Sequence, residues 1–288
     1  MVTHNTPWAE TIFNRFHICR HGGNIMKSNV YSSFLLLVAL LAICSGARSE
    51  TVTFRSTETT FDGKPLMLEG ELVKPSGDGP FPAVVLLHPC GGRTRAQNVW
   101  ADLFANWGYV SLIVDSFGPR GIKEVCTDGH LAMSYSSKRA QDAADARTYL
   151  ATLSFIDSRH IAVAGWSHGA WTVLETLRRE SADPFQAGVA FYPNCNVIPG
   201  LKVPVLILIG DLDDWTPAAV CRNLVATQKA GPEIMLNVYP GVCHGFDIQG
   251  IDRIAKGTKG SSHRLKYDKE AAADARIKVK EFLEKYLK

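Results

Sequence analysis

From residue 51 onward the chain alternates short apolar, β-branched runs with longer stretches in which apolar residues recur at helical spacing. A continuous apolar run bounded by Gly or Pro reads as a strand buried on both faces, and an i, i+3, i+4 recurrence reads as a helix resting on one face. Residues 83–87, 109–114, 161–164, 188–191, 203–209 and 234–239 are therefore expected strands, preceded by an antiparallel hairpin over 51–55 and 67–73. Residues 96–107, 139–153, 168–179, 218–229 and 269–287 are expected helices. Strands that alternate with helices imply an α/β protein, with a mostly parallel central sheet, right-handed crossovers and helices on both faces. One domain, residues 48–288, accounts for the whole pattern. Residues 117–133 and 241–266 show neither period and read as long loops of the kind that line active sites, with 256–262 equally readable as a flexible surface excursion.

Residues 1–47 stand outside this alternation. Lys27 beside Met26, the unbroken apolar run 34–43 and the small residues Ser45, Gly46 and Ala47 have the order of an export signal starting at Met26, with cleavage expected after Ala47. Residues 1–25 read as an upstream leader. The apolar run falls short of the ~20 residues that span a bilayer, so no stable membrane insertion is expected once the signal is removed. A periplasmic or secreted location follows.

Composition adds exclusions. The 288 residues are 46% hydrophobic and 20% charged, the balance of a globular protein. The formal charge of +3 drops to +1 without residues 1–47, which gives no reason to expect a nucleic-acid partner.

Three segments carry chemistry. Gly165-Trp-Ser-His-Gly169 lies between an expected strand and an expected helix, Gly210-Asp-Leu-Asp-Asp-Trp-Thr-Pro217 follows a strand, and Cys243-His-Gly-Phe246 follows the last strand. A serine on a glycine-flanked strand-to-helix turn projects its hydroxyl above the sheet, but it is a weak nucleophile without a base. His244 is the expected base and Asp213 the expected acid that orients it, with Asp214 as the alternative. Oxyanion donors are expected from the backbone N–H of His168, directly after Ser167, and of Cys90 or Gly91 in His88-Pro-Cys-Gly-Gly92, because Pro89 has none.

These motifs, with Asp115-Ser-Phe-Gly-Pro-Arg-Gly121 and Tyr239-Pro-Gly-Val-Cys-His-Gly-Phe246, resemble the dienelactone hydrolase family of the α/β-hydrolases over residues 51–288. The resemblance implies the α/β-hydrolase fold and hydrolase chemistry; with the residues of this chain the expected reaction is acyl-ester hydrolysis through a Ser-His-Asp triad, which requires no cofactor or metal. Two positions depart from the family's pattern. Ser167 stands where the enzymes that name the family carry cysteine, and Pro89 where they carry a glutamate. Both departures point away from dienelactone and toward a broader serine esterase.

Further residues have two readings each. Arg120 either receives a substrate carboxylate or pairs with Asp115 or Glu124 to order its loop. Trp166, Trp171 and Trp215 either line an acyl pocket or belong to the core. Export permits disulfides: Cys195 with Cys221 would brace the acid loop, Cys90 with Cys126 forms a possible second pair, and Cys243 is left free, though sequence alone does not fix the connectivity. The expected substrate is a small or moderately sized acyl ester. A serine peptidase and a non-catalytic binder on the same scaffold are the alternatives.

Overall fold

The computed structural model describes residues 48–228 and 230–288, so the expected export signal lies outside the described residues. The apolar runs become one eight-stranded sheet in the order β1-β2-β4-β3-β5-β6-β7-β8. Its strands are β1 (Arg48–Thr59), β2 (Pro65–Lys74), β3 (Phe81–Leu87), β4 (Val110–Asp115), β5 (Ile156–Trp166), β6 (Gly188–Phe191), β7 (Val205–Gly210) and β8 (Ile234–Tyr239). Only β1 and β2 run antiparallel to their neighbours, as a two-strand approach with the short turn 60–64 permits. From β4 to β8 every pairing is parallel. In parallel strands each connection must return across the sheet, and helices α1 (Arg95–Asn106), α2 (Gly129–Ala151), α3 (His168–Leu177), α4 (Ala218–Thr227) and α5 (Lys269–Leu287) surround it.

The core is the sheet itself. Val84, Val85, Leu86 and Leu87 of β3 and Ile207, Leu208 and Ile209 of β7 have no exposed surface. Each such side chain contributes roughly 1.5–3 kcal/mol over an exposed position. The parallel alignment places the carboxyl ends of β3, β5, β7 and β8 on one edge, so the loops holding Cys90, Ser167, Asp213 and His244 all start there.

Two expected loops are partly ordered elements. Helix α2 starts at Gly129 instead of Arg139, because the Asp128 carboxylate caps it by accepting the N–H groups of His130 and Leu131, both at 2.9 Å. Residues 241–266 contain a hairpin of β9 (Asp252–Lys256) and β10 (Ser262–Lys266), which are short and mostly exposed and so lack an apolar signature. The hairpin is clipped to the preceding loop. Lys266 N–H donates to the His244 carbonyl at 3.1 Å, which fixes the backbone of the predicted base.

Candidate active site

Ser167 occupies the turn between β5 and α3 with φ 54° and ψ −114°, a conformation that a non-glycine residue enters only under strain. Its flanking glycines make the turn possible. A Cβ on Gly165 would lie 2.4 Å from the Gly169 carbonyl oxygen, and one on Gly169 would lie 2.1 Å from the Leu87 carbonyl oxygen. The Ser167 N–H donates to Phe191 O at 2.9 Å, which ties the turn to β6.

The structure brings the three segments together. Ser167 Oγ lies 3.0 Å from His244 Nε2, and His244 Nδ1 lies 2.7 Å from Asp213 Oδ2. A carboxylate only accepts, so Nδ1 carries the proton and the Nε2 lone pair faces the serine hydroxyl. All three side chains are buried. Asp213 is further held by the N–H groups of Trp215 and Thr216, at 3.0 and 2.8 Å on Oδ1, and by the Thr216 hydroxyl, 3.0 Å from Oδ2. These contacts fix the carboxylate's orientation before any substrate arrives. Asp214 is turned away: it is exposed and accepts the N–H of Arg264 in β10.

The turn after β3 is locked by a disulfide from Cys90 to Cys126 and by Val125 N–H donating to the Cys90 carbonyl at 2.9 Å. A second disulfide joins Cys195 to Cys221, and Cys243 is free. As the first residue of α3, His168 has an N–H without an intrahelical acceptor. Its imidazole is buried, with Nε2 2.7 Å from the Ala132 carbonyl, and burial pushes its pKa down to about 3.

Arg120 does not serve as a carboxylate receptor in this arrangement. Its Nε and Nη2 donate to Glu58, Nη1 and Nη2 to Asp142, and Nη1 to the Ser116 carbonyl, at 2.7 to 3.3 Å. Those contacts use all five guanidinium donors, leaving none for a ligand. The pairing differs from the expected one: Glu58 and Asp142 are the carboxylate partners of Arg120 instead of Asp115 or Glu124. Long-range pairing from β1 and α2 decides it, and spacing along the chain does not reveal such pairs.

The dienelactone hydrolase family profile matches residues 68–287, most of the described chain. The chain belongs to the dienelactone hydrolase family. A carboxymethylenebutenolidase-type protein of Synechocystis sp. is 24% identical over 260 residues, covering 83% of this chain and 100% of the relative. Acylamino-acid-releasing enzyme 2 of Oryza sativa subsp. japonica is 26% identical over 164 residues, 56% of this chain and 20% of the relative, so the chain spans about a fifth of that larger protein. The fold matches a dienelactone hydrolase-type crystal structure from Klebsiella pneumoniae with TM-score 0.65 at 16% identity, covering 83% of this chain and 100% of the other.

In this family member several residues around Ser167, His244 and Asp213 lack a sequence signature. Asp247 is buried and accepts from Trp100 Nε1, Trp166 Nε1 and Tyr192 Oη at 2.8, 2.9 and 2.7 Å. Burial raises its pKa, while those three donors act in the opposite direction. Through them it anchors the residue before Ser167 and a tyrosine whose ring centre is 4.4 Å from that of His244. Trp166 is thereby a core residue, stacked on Phe191. Trp215 is half-buried, stacked on His263 and 5.3 Å from the His244 ring, the position of a site wall. Trp171 packs edge-on against His168 at the start of α3. Asp247 has a faint signal, three residues after His244, whereas Tyr192 has none.

Proposed function

We propose that this family member is an exported serine hydrolase of small, uncharged acyl esters. The observation that carries the reading is the continuous chain from Ser167 Oγ through His244 to Asp213, assembled from three loops on one sheet edge. His244 Nε2 takes the Ser167 proton as Oγ bonds to the ester carbon, and the carbonyl electron pair moves onto oxygen. The N–H groups of Cys90 and His168 receive that oxyanion. Collapse expels the alcohol oxygen, which takes the proton from His244, and leaves an acyl-serine. Water, deprotonated by His244, then attacks the acyl carbon; the bond to Ser167 Oγ breaks, His244 returns the proton to that oxygen, and the acid leaves. Asp213 stabilises the imidazolium at both stages.

The commitment of Arg120 to Glu58 and Asp142 supports a neutral ester over a carboxylated lactone. Coverage of the Synechocystis relative's whole length, against a fifth of the rice enzyme, supports an ester over a peptide. Two disulfides support an oxidising compartment, and so export. Ser167→Ala should lower p-nitrophenyl butyrate turnover by about 10⁴-fold or more and abolish labelling by a fluorophosphonate probe. A mutant that keeps either property refutes the nucleophile.

A further inference from the structure

Arg139, in α2, has no exposed surface and ranks among the largest fully buried side chains. Its Nη2 donates to the His88 carbonyl at 2.6 Å, its Nη1 lies 2.5 Å from His168 Nδ1, and its Cζ sits 5.0 Å from the centre of the Phe117 ring. Because His168 Nε2 donates to Ala132, its Nδ1 is unprotonated and accepts from the guanidinium. The His88 ring is also neutral, its pKa pushed well down by burial and then by Arg139. Every direct partner of this cation is therefore neutral. Among the described residues no carboxylate contacts it: Asp142 is taken by Arg120, and Arg139 Nε has no partner. Burial pulls the guanidinium's pKa down to about 9, against the through-space pull of Asp142 and Asp115.

A buried charge without a contacting counterion costs stability and demands an explanation. The position of Arg139 supplies one. It bridges the two chain segments that carry the proposed oxyanion donors: the end of β3, two residues before Cys90, and the first residue of α3. We infer that Arg139 is a positioning residue of the oxyanion hole, holding the His88 and His168 segments in register and supplying a fixed positive charge behind them. That charge finds its opposite only when the substrate carbonyl becomes a tetrahedral oxyanion. Stabilisation confined to the transition state appears in kcat and not in KM. The inference rests on the serine-hydrolase reading above.

The test compares the full-length wild type with Arg139→Met and Arg139→Lys in p-nitrophenyl butyrate turnover and in inhibition by a trifluoromethyl ketone, which binds serine hydrolases as an oxyanion. Arg139→Met should lose about 10- to 100-fold in kcat, less than the 10²–10³ of a direct donor, with KM within about twofold. Ketone affinity should fall by the same factor, and Arg139→Lys should lie between. A folded Arg139→Met with unchanged kcat, a loss confined to KM, or unchanged ketone affinity overturns the inference. Should Arg139→Met show no cooperative unfolding, Phe117→Leu decides: the cation remains but its aromatic support goes. A roughly threefold fall in both kcat and ketone affinity supports the role, and no change in either overturns it. Failure of the wild type to label at Ser167 with fluorophosphonate would instead sink the serine-hydrolase reading itself.

Discussion

Gly210 and Val242 approach so closely that a Cβ on Gly210 would lie 1.9 Å from the Val242 carbonyl oxygen. Leu212 N–H also donates to that carbonyl, at 3.1 Å. The end of β7, which leads to Asp213, is thus packed directly on the chain that leads to His244. Gly210→Ala must push the two apart. It is expected to cost about 2 kcal/mol or more in stability and to lower kcat at least tenfold, read by urea unfolding and ester turnover. A variant with wild-type turnover would show that this contact does not set the Asp213–His244 distance.

The two adjacent aspartates are expected to behave oppositely. Asp213→Asn presents an amide to His244 Nδ1 and should lower kcat by about 10⁴-fold with little effect on folding. Asp214→Asn, whose carboxylate meets only β10 and solvent, should leave kcat within about threefold. Equal losses in the two variants would dismiss Asp213 as the orienting acid.

The disulfides should separate stability from activity. They span 36 and 26 residues, and each loop closure is worth about 3–4 kcal/mol in the chain-entropy account. Replacing both cysteines of either bridge by serine should lower Tm. Only the Cys90/Cys126 pair should also lower kcat, by about tenfold, because Cys90 belongs to the proposed oxyanion turn. Turnover that is indifferent to the Cys90–Cys126 bridge would count against that turn as a donor.

Acid lability should trace in part to His168, alongside the buried, neutral His88. Its pKa in the fold is about 3, below the ~6.5 of an unfolded histidine, so the unfolded chain binds the proton first. The stability held by the neutral ring is complete above pH 6.5 and is lost as pH falls toward 3. This single group contributes up to about 1.4 kcal/mol per pH unit in that window. Urea unfolding at pH 7 and pH 5 should show a smaller acid loss for His168→Asn than for the wild type. Identical losses would mean that His168 does not titrate on unfolding.

Much of the architecture is legible along the chain because it depends on local periodicity. Runs such as 83–87 and 205–209 have no polar position to expose, so they can only be central strands. The hairpin over 252–266 escaped that reading because its residues alternate charge with isolated apolar side chains and stay mostly exposed. The start of α2 escaped it because Asp128 sets that boundary by capping and not by pattern.

The site divides in the same way. Chain order, the glycines around Ser167 and the placement of each motif after a strand single out Ser167 and His244 from sequence alone. They narrow the acid to Asp213 or Asp214. Tertiary structure decided which partners these side chains meet: Thr216 and Trp215 bind Asp213, Arg264 draws Asp214 away, Glu58 and Asp142 occupy Arg120, and His88 and His168 surround Arg139. A motif records the local backbone that a reaction needs. The partner that orients, neutralises or leaves bare a charge comes from a distant segment, and only the folded chain brings it within hydrogen-bonding range.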